Sequence, residues 1–382
     1  MGREIGHKSK RLVVSGYYGF DNSGDEAVLQ SILFALKEQG ETAGIHIEPV
    51  VLSANPQRTR EMYGVEACHR MKVPDLFRAI KSSDGLISGG GSLLQDATSS
   101  RTIPYYLLVL KLAQWMRKPT FIYSQGIGPV NNPRFFSWIR STFKKCAMIT
   151  VRDQESADLI GRMGVPASSV SVVPDPVMGL PLRGEAASGK AGTAADASGE
   201  TGRVPVVGVS VRFWNADRSE LGALAEALRA VMDSRRIEVR LLPFHLPSDE
   251  EASAYVAERL SPAGEGGDVR IVRGVTHPQD MLAEVSACDV LVGMRLHSLI
   301  YAASQFVPMV GVSYDPKIDQ FLARLGMKAA ASTQSFDAAA VAAEIGRLLD
   351  GRREWAEGKQ AAIDRLKKEA QLPAQQIMQF YR

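Results

Sequence analysis

Two arginines directly follow apolar, β-branched runs, and two histidines lie a few residues beyond such runs, where a fold can present charge at a strand end. Val290-Leu291-Val292-Gly293-Met294-Arg295-Leu296-His297-Ser298 passes through a glycine into the helix-periodic Leu299-Ile300-Tyr301-Ala302-Ala303, which places Arg295 and His297 at a strand-to-helix turn. Such a turn favours anions, because the first helical amides lack intrahelical partners and a guanidinium is a planar fork matched to phosphate or carboxylate. His297 is the group there that can move a proton near neutral pH. Arg212 closes the run 206–211, His245 follows the run 239–242, and Lys317 follows the run 309–312. Arg212, His245, Arg295, His297 and Lys317 suit a small dianion or trianion. The bland alternative is a scatter of solvated charges, with Arg295 paired to a structural carboxylate and His297 capping its helix. Arginine directly after a buried strand is costly unless it meets an anion.

The first half of the chain ends its strands differently. Gly16-Tyr17-Tyr18-Gly19-Phe20-Asp21-Asn22-Ser23-Gly24-Asp25-Glu26, Ser88-Gly89-Gly90-Gly91-Ser92-Leu93-Leu94-Gln95-Asp96 and Ser124-Gln125-Gly126-Ile127-Gly128-Pro129 are glycine loops, the first two read as leading into helices, and Arg152-Asp153-Gln154-Glu155-Ser156 closes a fourth run. Glycine lets backbone amides approach an oxygen-rich ligand closely, although it also serves ordinary tight turns. No loop matches G-x-G-x-x-G or the P-loop, which disfavours dinucleotide and P-loop nucleotide binding.

The elements that must position these residues alternate regularly. Runs at 12–15, 46–52, 85–88, 120–124, 148–151 and 170–173 read as strands, and 25–38 reads as a helix with Val28, Leu29, Ile32, Leu33 and Leu36 on its inner face. Residues 184–202 are small and polar with no periodic apolar face, and read as a flexible interdomain segment. The rhythm then restarts with strands at 206–211, 239–242, 269–272, 290–292 and 309–312 and a helical tail from Ala338. This predicts two Rossmann-like α/β domains, 1–180 and 204–382, joined by a linker at 181–203 and facing across a cleft at the carboxyl ends of both sheets. The 382 residues exceed one ordinary core.

With 45% hydrophobic residues, 23% charged and a net charge of +3, the chain reads as globular and not as a nucleic-acid binder. Cys68, Cys146 and Cys288 lie far apart, which points to buried free thiols in a reducing, cytoplasmic setting and to no metal site. The basic start lacks the apolar core of a secretory signal, and no run reaches transmembrane length. Residues 134–145, Arg-Phe-Phe-Ser-Trp-Ile-Arg-Ser-Thr-Phe-Lys-Lys, combine aromatic anchors with cations as a peripheral membrane helix would; a core-facing helix with a solvated edge has the same composition.

The motifs at 16–27, 88–96, 125–129 and 151–156, with Met294-Arg295-Leu296-His297-Ser298, resemble the polysaccharide pyruvyltransferase family, and within it the CsaB-type enzymes that pyruvylate the cell-wall polymer anchoring S-layer proteins. The resemblance implies a glycosyltransferase-B type fold, phosphoenolpyruvate as co-substrate with no separate cofactor, and a sugar diol as acceptor, N-acetylmannosamine of a lipid-linked precursor in the CsaB-type members. It places Arg212, Arg295, the Leu296 backbone and His297 at the donor; the strand-end reading adds His245 and Lys317 there, and the loops at the first sheet's edge offer Tyr17, Asn22, Gly90, Gly91, Gln125 and Arg152 for the acceptor. Ketal formation needs a proton at the donor methylene carbon, for which His297 is the expected acid, and a carboxylate to orient or deprotonate the sugar, for which Asp25 or Asp96 is the candidate unless each only caps a helix. A lipid-linked acceptor would bring the chain to the inner face of the membrane. A nucleotide-sugar glycosyltransferase and a non-catalytic glycan-binding protein remain open alternatives.

Overall fold

The computed structural model describes residues 8–20, 22–97, 99–184, 203–261 and 267–382; most of the segment read as a linker, 185–202, lies outside them. Contacts divide the chain into two units, one of Met1–Phe20, Asp25–Leu180 and Leu366–Arg382, the other of Asp21–Gly24 and Pro181–Arg365.

The first unit holds seven parallel strands: β1 (Lys8–Ser15), β2 (Ile45–Ser53), β3 (Glu66–His69), β4 (Gly85–Gly89), β5 (Thr120–Gln125), β6 (Met148–Val151) and β7 (Val170–Val172), in the order β3-β2-β1-β4-β5-β6-β7. Val13 is in register with Val50 on one side and Leu86 on the other, and all three are fully buried. A sheet covered on both faces produces the continuous apolar runs of the sequence. The connecting helices are α1 (Ser23–Ala43), α2 (Pro56–Tyr63), α3 (Val73–Lys81), α4 (Thr102–Trp115), α5 (Arg134–Phe143) and α6 (Gln154–Arg162). No helix follows the triple glycine directly. Leu94 instead bridges Ile127 and accepts a hydrogen bond from the Gly128 amide, so α4 starts only at Thr102.

The second unit repeats the plan with six parallel strands, β8 (Val206–Ser210), β9 (Ile237–Leu241), β10 (Gly267–Ile271), β11 (Val290–Gly293), β12 (Met309–Ser313) and β13 (Ala331–Ser332), ordered β10-β9-β8-β11-β12-β13. Its helices include α7 (Ser219–Ser234), α8 (Ser248–Leu260), α9 (Pro278–Ser286), α10 (Leu296–Ser304), α11 (Pro316–Arg324) and α12 (Ala338–Asp350), followed by α13 (Arg352–Glu369) and α14 (Leu372–Tyr381). In each sheet the order reverses once, between β1 and β4 and between β8 and β11, and the carboxyl ends at such a reversal are where open α/β sheets bind ligands.

The domain boundaries need two corrections. Residues 366–382, assigned by sequence to the second domain, belong to the first unit: α14 buries Ile377, Met378 and Tyr381 beside β5 and β6, and the Tyr381 hydroxyl donates to Asp84 O at 3.0 Å. Residues 21–24, at the entry to α1, belong to the second unit. Of the three free cysteines, Cys288 is buried and Cys68 and Cys146 half-buried. Burial pushes their thiols up to about 11 for Cys68 and about 12 for Cys146 and Cys288.

Candidate active site

The carboxyl edge of the second sheet gathers the predicted cations. β11 ends at Gly293, where a Cβ would stand 2.7 Å from Ser298 Oγ, so only glycine lets α10 turn back this tightly. Arg295 is the residue before α10, and Ser298 Oγ donates to its carbonyl at 2.7 Å. The Leu296 and His297 amides come before the first amide of α10 bonded to the Arg295 carbonyl, that of Ser298 at 3.1 Å, and such leading amides of a helix favour anions.

Arg295 already has a carboxylate. Its Nε donates to Asp249 Oδ2 at 2.9 Å and its Nη2 contacts Asp249 Oδ1, while the Phe244 and His245 amides donate to Oδ2 at 3.2 and 2.9 Å. Asp249 is fully buried in the first turn of α8. The structural carboxylate that the sequence offered as the alternative partner of Arg295 is thus present: a half-buried strand-end arginine needs an anion, and the chain supplies one. Among the described residues Nη1 keeps no hydrogen bond. Removing one partner of such a pair is strongly destabilising. Asp249→Asn should lower unfolding free energy by about 3 kcal/mol in urea titrations, the low end of the buried-pair range because Arg295 is partly solvated; an unchanged midpoint would make the pair incidental.

Arg212, half-buried after β8, meets no carboxylate among the described residues. Its Nη1 donates to the Tyr314 hydroxyl at 2.9 Å, and its guanidinium carbon lies 4.6 Å from the Tyr314 ring centre and 5.2 Å from that of Trp214. Buried Glu220 fixes this loop by accepting from the Trp214 and Asn215 amides at 2.9 and 3.3 Å. Lys317, ion-paired with Asp315 at 2.9 Å, lies 5.9 Å from the same Tyr314 ring.

His245 is held below the ordinary histidine value of 6.5, first by burial, then by the Arg295 and Arg212 charges, with Asp249 opposing. It is neutral at pH 7 and suited to accept a proton. A bound anion offsets both arginines, so binding should raise its midpoint, and donor affinity should weaken as pH rises through that raised value. In an NMR titration His245 should turn over below 6.5 in the free protein and move up on adding inorganic phosphate; a free midpoint at or above 6.5 would contradict this electrostatic picture.

The α1 entry loop completes the second unit. Asn22 forms an antiparallel bridge with His245, the Ser23 amide donates to Phe244 O at 2.9 Å, and the Tyr301 hydroxyl donates to Ser23 O at 3.4 Å. A Cβ on Gly24 would collide with His297 Nδ1, so glycine at 24 is what allows the imidazole its place. Asn22, assigned by sequence to the acceptor side, is thus corrected to a backbone partner of His245, its Oδ1 accepting from the Gly24 amide at 3.0 Å.

At the first sheet's edge most predicted acceptor residues are structural. Gly90 and Gly91 have φ of +57° and +67°, and a Cβ there would strike Val28 of α1 or stand 2.9 Å from Asp25 Oδ1. The amides of Gly90 and Gly126 are spent on Tyr123 O and Gly91 O. Gln125 is fully buried and donates to Ser88 Oγ at 2.9 Å; Arg152, also buried, pairs with Asp175 at 3.3 Å and donates to Ser92 Oγ at 2.8 Å. Asp96 accepts the Asn131 and Asn132 backbone amides, both at 2.8 Å, and so clamps that loop. Tyr17 is 39% exposed with its ring stacked 4.0 Å from Phe20, and burial first, then the Asp25 charge, raise its hydroxyl above its ordinary value. Sequence reasoning missed Asp249, Glu220 and Tyr314; Tyr314 follows the end of β12 directly, while Asp249 and Glu220 show only as acids in the first turns of α8 and α7.

Two doubly wound parallel sheets with charge gathered at a switch point define an α/β enzyme of the glycosyltransferase-B type. Solved structures of that fold superpose over nearly the whole chain: UDP-GlcNAc 2-epimerase from Neisseria meningitidis (TM-score 0.62, 10% identity, 97% of this chain and 100% of that one) and HepE from Anabaena in complex with UDP and glucose (TM-score 0.58, 12% identity, 97% and 99%). The profile of the polysaccharide pyruvyl transferase family matches residues 22–316, and the chain belongs to that family. A curated relative, the amylovoran biosynthesis protein AmsJ of Erwinia amylovora, is 21% identical over 286 residues, 72% of this chain and 68% of that protein.

Proposed function

We propose that the protein transfers the pyruvyl group of phosphoenolpyruvate, its co-substrate and sole cofactor requirement, onto a diol of a lipid-linked saccharide, the N-acetylmannosamine unit of a cell-wall polymer precursor being the first acceptor to try. The observation that carries this reading is Arg212, a half-buried guanidinium at the β8 end with aromatic flanks and no carboxylate among the described residues, beside Arg295, His245 and the α10 amides. Phosphoenolpyruvate offers a phosphate and a carboxylate to such a set. His297 protonates the methylene carbon, C2 becomes oxocarbenium-like, one hydroxyl adds, phosphate leaves with its bonding electrons, and the second hydroxyl closes the ketal. The two hydroxyl protons replace the one given up by His297 and protonate the phosphate. Tyr17 and Asp25 are the residues of the first unit assigned to the acceptor, Tyr17 as a ring for a sugar face and Asp25 as the base.

A phosphate-release assay with phosphoenolpyruvate and a panel of lipid-linked disaccharides tests this. Acceptor-dependent release supports it. Turnover of a UDP-sugar without phosphoenolpyruvate would replace it with glycosyl transfer, and glycan binding without turnover, unaffected by loss of His297, with a binding role.

A further inference from the structure

α3, α4 and α5 form one layer on the first sheet. Their inner faces share a core cluster through Leu76 and Ile80, Leu107 and Leu110, Ile139 and Phe143. Their outer side is unusual. Of the eleven large apolar side chains exposed among the described residues, five lie on these helices, Val73, Phe77, Leu108, Trp115 and Trp138, and Met71 lies in the turn before α3; Val73 and Trp115 are each 70% exposed. On α4, Leu108, Lys111 and Trp115 fall on one stripe.

The charge is equally one-sided. Segments 71–83, 101–118 and 134–145 contain eleven lysines and arginines and one acid, Asp75, in a chain whose net charge is only +3. Apolar side chains separated by long cations do not make the continuous patch of a protein interface. They match a bilayer surface, where rings and aliphatic groups enter the headgroup boundary while Lys and Arg reach the lipid phosphates.

We infer that the outer face of the α3–α4–α5 layer docks on an anionic lipid bilayer. The sequence alone confines this role to residues 134–145, but Phe135 and Phe143 are core residues and α5 exposes only Trp138 of its large apolar side chains. The main apolar contact therefore falls to α3 and α4. The inference rests on the first unit's own surface and not on the donor chemistry, so vesicle binding and phosphate release can fail independently.

The test is co-sedimentation of the full chain with phosphatidylcholine vesicles, with and without one part in three phosphatidylglycerol. Binding is expected only with the anionic lipid, weakening with salt, and accompanied by a blue shift of tryptophan emission. The triple variant Phe77→Glu, Leu108→Glu, Trp115→Glu should fold with an unchanged melting profile and bind roughly a hundredfold more weakly. Lys144→Glu with Lys145→Glu should lose roughly tenfold or more. No binding to anionic vesicles at low salt, or full binding by the triple variant, overturns the inference. So does a dimer in light scattering that the triple variant disrupts, which would assign the face to a second copy of the chain.

Discussion

Arg212→Lys should lower kcat/KM for phosphoenolpyruvate by roughly thirty- to a thousand-fold, about 2–4 kcal/mol, with thermal unfolding unchanged. Arg212 has no carboxylate to lose among the described residues, so the substitution leaves no buried charge unpaired. What lysine cannot supply is the planar fork, which bonds the Tyr314 hydroxyl with one nitrogen and keeps other donors for the ligand. Arg295→Lys should behave differently. It weakens the bidentate hold on buried Asp249, so activity and stability should fall together. Steady-state kinetics beside urea titrations of both variants separate the roles, and normal donor kinetics in Arg212→Lys would remove Arg212 from the site.

His297→Gln should lower kcat by about 10²–10⁴-fold with little change in the donor KM. Glutamine keeps a hydrogen-bond donor but gives up no proton, so a residue that only held the donor would show its loss in KM. The rival is His245, yet burial and two neighbouring arginines hold that imidazole neutral at pH 7, a poor starting state for an acid. If His297→Gln turns over normally while His245→Gln is inactive, the assignment is reversed.

The sequence makes the second sheet's edge readable because each cation follows a β-branched run that could only be a buried strand. It does not show what those cations meet. Asp249 lies 46 residues from Arg295, and nothing local to either announces the pair. The glycine loops mislead for a related reason: close approach of a helix and close approach of a ligand demand the same residue, and at Gly90 the neighbour is Val28. Asn22 looks like part of a first-domain loop until its backbone is seen bonded beside His245. The amphipathic pattern of α14 specifies a buried face but not which sheet it covers, so its packing beside β5 and β6 was not readable. α5 shows its cations and aromatics in sequence, whereas the exposed side of α3 and α4 emerges only when the buried side is known.

The central claim is pyruvyl transfer from phosphoenolpyruvate with proton delivery to its methylene carbon. The most direct measurement is mass spectrometry and proton NMR of a lipid-linked saccharide incubated with the protein and phosphoenolpyruvate in heavy water. The account predicts a product heavier by one pyruvate less one water, one phosphate released per product, and a ketal methyl group carrying one solvent deuteron. An unmodified saccharide across the acceptor panel, or a ketal methyl without solvent deuterium, would contradict it.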